Sequence, residues 1–263
     1  MLASPARREP VTGTRRHRRV GAVVRWPLGL AIVAWRYLWR TTVTHRSDEP
    51  GDASDLPKPL PPEVCDDRVQ HIEGGHGDLL HRCYSVTIAG GDCTPELLLE
   101  RLAADPNDWS PSGLAVFRRT KGHDGAMTVG DEFLIRLPGP WDGPVRVVGS
   151  GPRHFRLATL TGHLEAGQIE FRTEEAGEDV RFVIESWARP GDRLAHVLYD
   201  RLSLAKEVQL VMWTHVCLRA AALAGGRPRG GLTVRTRWLD MAGGQTPATR
   251  PADADRTDSP DEV

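Results

Sequence analysis

A chain of 263 residues with 40% hydrophobic content is long enough to bury a core, and once both ends are set aside the remainder suits one domain of roughly 150 to 180 residues. Its 34 Lys and Arg against 35 Asp and Glu leave a formal net charge of -1, which excludes a bulk electrostatic pull toward nucleic acid. Cys65, Cys83, Cys93 and Cys217 form no CxxC pair and no zinc spacing, so they read as reduced structural thiols with no cofactor implied.

The charge is segregated along the chain. Residues 1–45 open with Arg7, Arg8, Arg15, Arg16, Arg18 and Arg19 and then turn apolar from Val20 to Trp39. Arg25 and Arg36 interrupt that stretch, leaving about half the uninterrupted length a bilayer-spanning helix needs. On a helical wheel Arg18, Arg25, Arg36 and Arg40 fall on one narrow stripe, and Leu28, Leu30, Ile32, Val33 and Leu38 fill much of the rest. Trp26, Trp35 and Trp39 add rings of the kind enriched where headgroups meet acyl chains. Arg25, Trp26, Trp35, Arg36, Trp39 and Arg40 are therefore the expected membrane contacts, and residues 20–40 make the membrane surface an expected partner. Three placements stay open: a helix lying in the membrane surface, a short spanning anchor with snorkelling arginines, and a helix packed on protein. No small-x-small cleavage site follows, so the expected location is cytoplasmic and membrane-associated.

Residues 46–66, rich in Pro, Asp and Ser, read as a linker, and 67–226 as the folded domain. His71, His76 and His81 recur at five-residue steps, which neither a helix nor a strand places on one face. From His81 to Ala89, Tyr84, Val86 and Ile88 alternate with Cys83, Ser85 and Thr87, the signature of a half-buried strand. Thr94 caps the following helix, Pro95 suits its first position, and Leu98, Leu99 and Leu102 repeat at helical spacing until Asp105-Pro106 stops it.

Six short strands are predicted next: Leu114 to Thr120, Asp131 to Leu137, Pro144 to Ser150, His154 to Leu160, Gly167 to Thr173 and Asp179 to Ala188. Turn-forming Gly, Pro, Asp and Ser separate them, so neighbours should pair antiparallel. A helix from Asp192 to Ala224 carries an apolar stripe through Leu198, Leu202, Met212 and Val216, and Gly225-Gly226 ends it. Residues 227–263 read as a polar, acidic, disordered tail.

This order of elements resembles the helix-grip fold of the START-like (SRPBCC) superfamily. Residues 159–171, Thr-Leu-Thr-Gly-His-Leu-Glu-Ala-Gly-Gln-Ile-Glu-Phe, and then Ser186-Trp187-Ala188-Arg189-Pro190, resemble an uncharacterised bacterial domain-of-unknown-function branch of it. The branch's G-H-x-E-x-G core falls on Gly162, His163, Glu165 and Gly167, with Leu164 and Gln168 standing where that branch has proline and glutamate. The resemblance implies an α+β class: a curved antiparallel sheet wrapped around a long C-terminal helix, enclosing a space for a hydrophobic small molecule or lipid. Trp141, His163, Glu165, Arg201, Met212 and His215 are the candidate ligand contacts. Two alternatives stay open: an enzyme using His163 and Glu165 as acid and base, and a non-catalytic interaction scaffold. Period-two alternation puts Glu185 with Trp187, facing solvent rather than a pocket.

Overall fold

The computed structural model describes residues 43–111, 115–137, 142–191 and 204–241. Thr94 ends one loop and starts α1, Pro95–Ala104, its hydroxyl accepting the Leu97 N–H at 3.3 Å. Leu98, Leu99 and Leu102 lie on one face of α1 and are buried against the sheet. The loop after α1 contributes Trp109, which is 1% exposed and donates its indole N–H to the Leu102 carbonyl at 2.7 Å.

Nine strands follow the chain as β1 Thr44–Pro50, β2 Leu79–Ala89, β3 Val116–Lys121, β4 Glu132–Arg136, β5 Asp142–Gly151, β6 His154–Thr159, β7 Glu165–Ala176, β8 Asp179–Pro190 and β9 Arg227–Leu239. They form one sheet in the order β1-β9-β2-β8-β7-β6-β5-β4-β3. From β3 to β8 each strand pairs antiparallel with its neighbour in sequence. The β2 strand pairs antiparallel with both β8 and β9, whereas β1 runs parallel to β9.

The second α-helix described, α2 Leu204–Leu223, packs on β2, β8 and β9. Val216, Cys217 and Ala220 of α2 meet Tyr84, Val86, Phe155, Phe171, Phe182 and Ile184 in the main core. The stacked Phe155 and Phe171 rings, 4.7 Å apart, are its centre. We call this the helix side of the sheet. On the opposite side the segment 51–75 lies across the strands as three short 3-10 turns, Ala53–Asp55, Pro62–Val64 and Ile72–Gly74, over two small apolar clusters.

This arrangement overturns the helix-grip expectation of a purely antiparallel sheet wrapped around a C-terminal helix. The helix is not the last element. Gly225, at φ +72, and Gly226 turn the chain at its end, donating to the Ala222 and Ala221 carbonyls at 3.0 Å each. The chain then runs back along the open edge of β2 as β9, because Leu232, Val234 and Trp238 alternate at strand period with Thr233, Arg235 and Arg237. Residues 227–239 therefore belong to the sheet and not to the tail, and the parallel β1 makes the sheet mixed. Half of the expected linker is likewise structured, as β1 and the turns Ala53–Asp55 and Pro62–Val64.

Candidate site on the helix side of the sheet

The signature Gly162-His163-Leu164-Glu165-Ala166-Gly167 forms the turn from β6 into β7 and the first residues of β7. Gly162 has φ +99, a conformation open to glycine, and donates its N–H to Gln70 Oε1 at 2.9 Å. The Gln70 amide N–H group in turn donates to the Glu165 carbonyl at 3.0 Å and the His163 carbonyl at 3.3 Å. One side chain from the opposite side of the sheet thus holds both ends of the turn. Gly167 donates its N–H to the Thr159 hydroxyl at 2.9 Å, and a Cβ at 167 would stand 1.9 Å from the Trp187 carbonyl oxygen. Glycine is required there by backbone approach across the β7 and β8 pair.

His163 is half-buried, its ring lying over Gly143 of β5, where a Cβ would come within 3.1 Å of both Cδ2 and Nε2. The Glu165 N–H donates to Nδ1 at 2.9 Å, which leaves the ring proton on Nε2. Desolvation holds the imidazole pKa down at about 4. The Glu165 carbonyl, 3.1 Å from Nδ1, opposes that shift because it could accept a proton placed there. At neutral pH His163 is therefore a neutral donor through Nε2.

Glu165 opens a chain of polar groups across the helix side. Its Oε1 accepts from Gln209 Nε2 at 2.6 Å, and Gln209 Oε1 accepts from Arg82 Nη1 at 2.7 Å. Tyr84, 1% exposed, lies two residues along the same face of β2 as Arg82. Burial pushes the Glu165 carboxyl up, against the pull of the Arg82 charge and the Gln209 hydrogen bond. Burial likewise pushes the Tyr84 phenol up to about 12, with Arg82 again opposing.

Arg82 was not among the candidates, although the alternation that puts Tyr84, Val86 and Ile88 on the apolar side also puts residue 82 there. It is 6% exposed and makes no ion pair among the described residues. Of the other buried arginines, Arg146 is paired with carboxylates, whereas Arg189, like Arg82, meets none among the described residues. Arg146 meets Glu132 at 2.7 Å and Asp66 at 2.8 Å, and Arg189 donates to the Gly77 and Ile72 carbonyls.

Strands β7 and β8 are central in the sheet, yet Ile169, Ser186 and Ala188 are only half-buried on their helix side, Ile169 packing on the main core, whereas Phe171, Phe182 and Ile184 further along the same strands are fully buried. Arg82 stands opposite Ser186 in register, and Glu165 and His163 are half-buried as well. This strip of the helix side is apolar at Ile169, Ala188 and Leu80 and polar along the Glu165, Gln209 and Arg82 chain.

Met212 and His215 are half-buried on α2, Met212 packing on the main core. Trp141, Arg201 and the expected membrane contacts Arg25, Trp26, Trp35, Arg36, Trp39 and Arg40 lie outside the described residues. Glu185 departs from its expected solvent position. Its side chain is only 16% exposed, because it accepts from Arg172 and lies 2.7 Å from His81 Nε2 on the side opposite α2. His81 Nδ1 faces Asp55 Oδ1 at 2.9 Å, and the ring stacks on Trp187 at 5.1 Å. The three histidines His71, His76 and His81 do not converge, and among the described residues no group of three or more His, Cys, Asp or Glu is arranged to hold a metal ion.

No curated protein matches the chain. Among solved structures, the KanY protein is similar at 11% identity with a TM-score of 0.42, over 58% of this chain and 99% of that one. A hypothetical protein of Helicobacter pylori is similar at 10% identity and TM-score 0.39, over 51% and 84%. A protein of Thermobifida fusca is similar at 13% identity and TM-score 0.39, over 55% and 94%. Scores this low bear on neither fold nor function here. The match to a family model is of another order: it takes in residues 81–219, hence β2 through most of α2 with the whole Gly162 to Gly167 turn, and the chain belongs to the DUF1990 family, a domain of unknown function.

Proposed function

We propose that this domain binds a small, mainly apolar molecule in the recess between α2 and the helix side of β7 and β8. The supporting observation is the incomplete burial of Ile169, Ser186 and Ala188 on central strands where Phe171, Phe182 and Ile184 are fully buried. A central, helix-covered strand surface left incompletely buried is a place where apolar area remains to be covered, at about 25 cal/mol per Å² gained on burial. The few polar groups converging there, His163, Glu165 and Gln209, suit orientation of a ligand more than proton transfer, since a neutral His163 with Nδ1 engaged is a poor base at neutral pH. Kinship with the START-like superfamily, suggested by residues 159–171 and 186–190, belongs to the same proposal. Ser186→Trp fills the recess from its floor. It is expected to weaken binding of the neutral fluorophore N-phenylnaphthylamine by about tenfold or more while the protein keeps its cooperative melt. Unchanged binding in that folded variant would move the ligand elsewhere.

The membrane surface is part of the same proposal. Its support is the arginine stripe and tryptophan set of residues 20–40. Among the described residues no helix is long and apolar enough to cross a membrane. The full chain is expected to float with vesicles containing anionic lipid, and a chain starting at Val43 is expected to stay in the dense fraction. Equal flotation of the two would remove residues 20–40 from any membrane role.

A further inference from the structure

Among the described residues, Arg82 places a buried charge on the helix side that packing alone does not explain. Arg82 is 6% exposed and carries five N–H donors, and among the described residues it is given one amide oxygen, with no carboxylate in ion-pair contact. Burying a charge in this way costs several kcal/mol unless a counter-charge arrives. Among the described residues, the carboxylate linked to Arg82 is that of Glu165, and the intervening Gln209 amide separates the two.

We infer that the molecule bound in the recess carries a single carboxylate, and that Arg82 receives it with the Tyr84 hydroxyl donating beside it. This rests on the binding reading above and adds the class of ligand. The geometry is consistent in each group. Tyr84 lies two residues along the same face of β2, and its hydroxyl stays a donor because its phenol ionises only far above neutral pH. The planar guanidinium fork matches the two oxygens of a carboxylate. Arg82 stands opposite Ser186, at the half-buried floor, while Leu80 and Ile169 offer apolar contact for the remainder of an amphiphilic acid. A doubly charged phosphate monoester fits less well, because one guanidinium leaves its second charge unpaired in a desolvated place. Burial pushes the Glu165 carboxyl up from its ordinary value, and the Gln209 amide stands between it and Arg82.

The test uses the full chain near neutral pH, with N-phenylnaphthylamine as the reporter and dodecanoate, dodecanol and dodecyl phosphate as competitors below their aggregation limits. Dodecanoate is expected to displace the reporter at about tenfold or more lower concentration than either of the other two. In Arg82→Met the acid and the alcohol are expected to compete within about threefold of each other, and this variant is expected to melt at or above the wild-type temperature, since it removes a buried charge that lacks a partner. Gln209→Glu supplies a resident carboxylate beside Arg82 and is expected to bring the acid and the alcohol within about threefold of each other. Equal competition by acid and alcohol in the wild type, or tightest competition by the phosphate, overturns the carboxylate and leaves the binding reading intact. An Arg82→Met protein that fails to fold or melts far lower overturns it too, by giving Arg82 a structural role. Failure of the reporter to bind the wild type removes both readings together.

Discussion

Alanine at position 167 is expected to lower the unfolding free energy by about 3 kcal/mol or more, the range of substitutions that force backbone out of place. The added Cβ would lie 1.9 Å from the Trp187 carbonyl oxygen and 3.0 Å from the Ala188 Cα, both main-chain or directly bonded to it, so no side-chain rotation relieves the contact. Strands β7 and β8 would have to part at the point where Gly167 N–H reaches Thr159, and the turn carrying His163 and Glu165 would move with them. Urea denaturation measures the loss. A change within about 0.5 kcal/mol, the scale of a neutral surface substitution, would show that the two strands separate without cost.

Loss of the Asp55 carboxylate is the second large effect. Asp55 is 4% exposed, and its side chain accepts from Arg237 at 2.9 Å and from the Asp52 N–H at 3.0 Å while facing His81 Nδ1 at 2.9 Å. Its main-chain carbonyl accepts the Trp187 indole N–H at 2.8 Å. Asp55→Ala leaves Arg237 with only the longer contact to Glu49 at 3.4 Å and uncovers one side of His81, and breaking a buried charge pair in this way costs about 3 kcal/mol. Hydrogen exchange at Ala53 to Leu56 is expected to rise toward the unprotected rate; protection equal to wild type would mean that packing alone seats this turn. The wild-type carboxyl also has an acid signature. Although burial raises it, the hydrogen bonds from Asp52, Arg237 and His81 outweigh burial and hold its pKa below the usual 3.8. Its contribution to stability is therefore complete above that value and is lost as pH falls through the lower folded pKa. The alanine variant lacks that step.

Much of the fold was readable where period and punctuation agree. Thr94 and Pro95 marked the start of α1, and the Gly- and Pro-rich turns marked a run of antiparallel strands from β3 to β8. The two strands that change the architecture were missed for opposite reasons. The β1 sequence, Thr-His-Arg-Ser-Asp-Glu-Pro, has no apolar alternation, since an edge strand held by main-chain bonds needs none. In β9 the alternation of Leu232, Val234 and Trp238 is present, but Gly225, Gly226, Gly230 and Gly231 before it have the look of an ending. Trp109 was hidden by its loop setting, because a short turn gives no period from which burial can be read.

At the site, the turn from Gly162 to Gly167 was visible as a motif, and its glycines now have physical reasons. Gln70 and Gln209, which hold the turn and carry its polarity to Arg82, were invisible, because contacts across the sheet or from a helix to it leave no spacing signal along the chain. Arg82 left one: a charge in phase with Leu80, Tyr84, Val86 and Ile88. A lone arginine on the oily phase of a strand is worth more notice than a histidine in a turn.

The parallel pairing of β1 with β9 has a mechanical consequence. The chain enters β1 at Thr44, opposite Leu232, and leaves β9 at Leu239, just past the pairing of Pro50 with Trp238, so the two flanking segments depart from opposite ends of one ladder. Tension drawn between them loads all seven paired positions at once in shear, and does not unzip the bonds one after another.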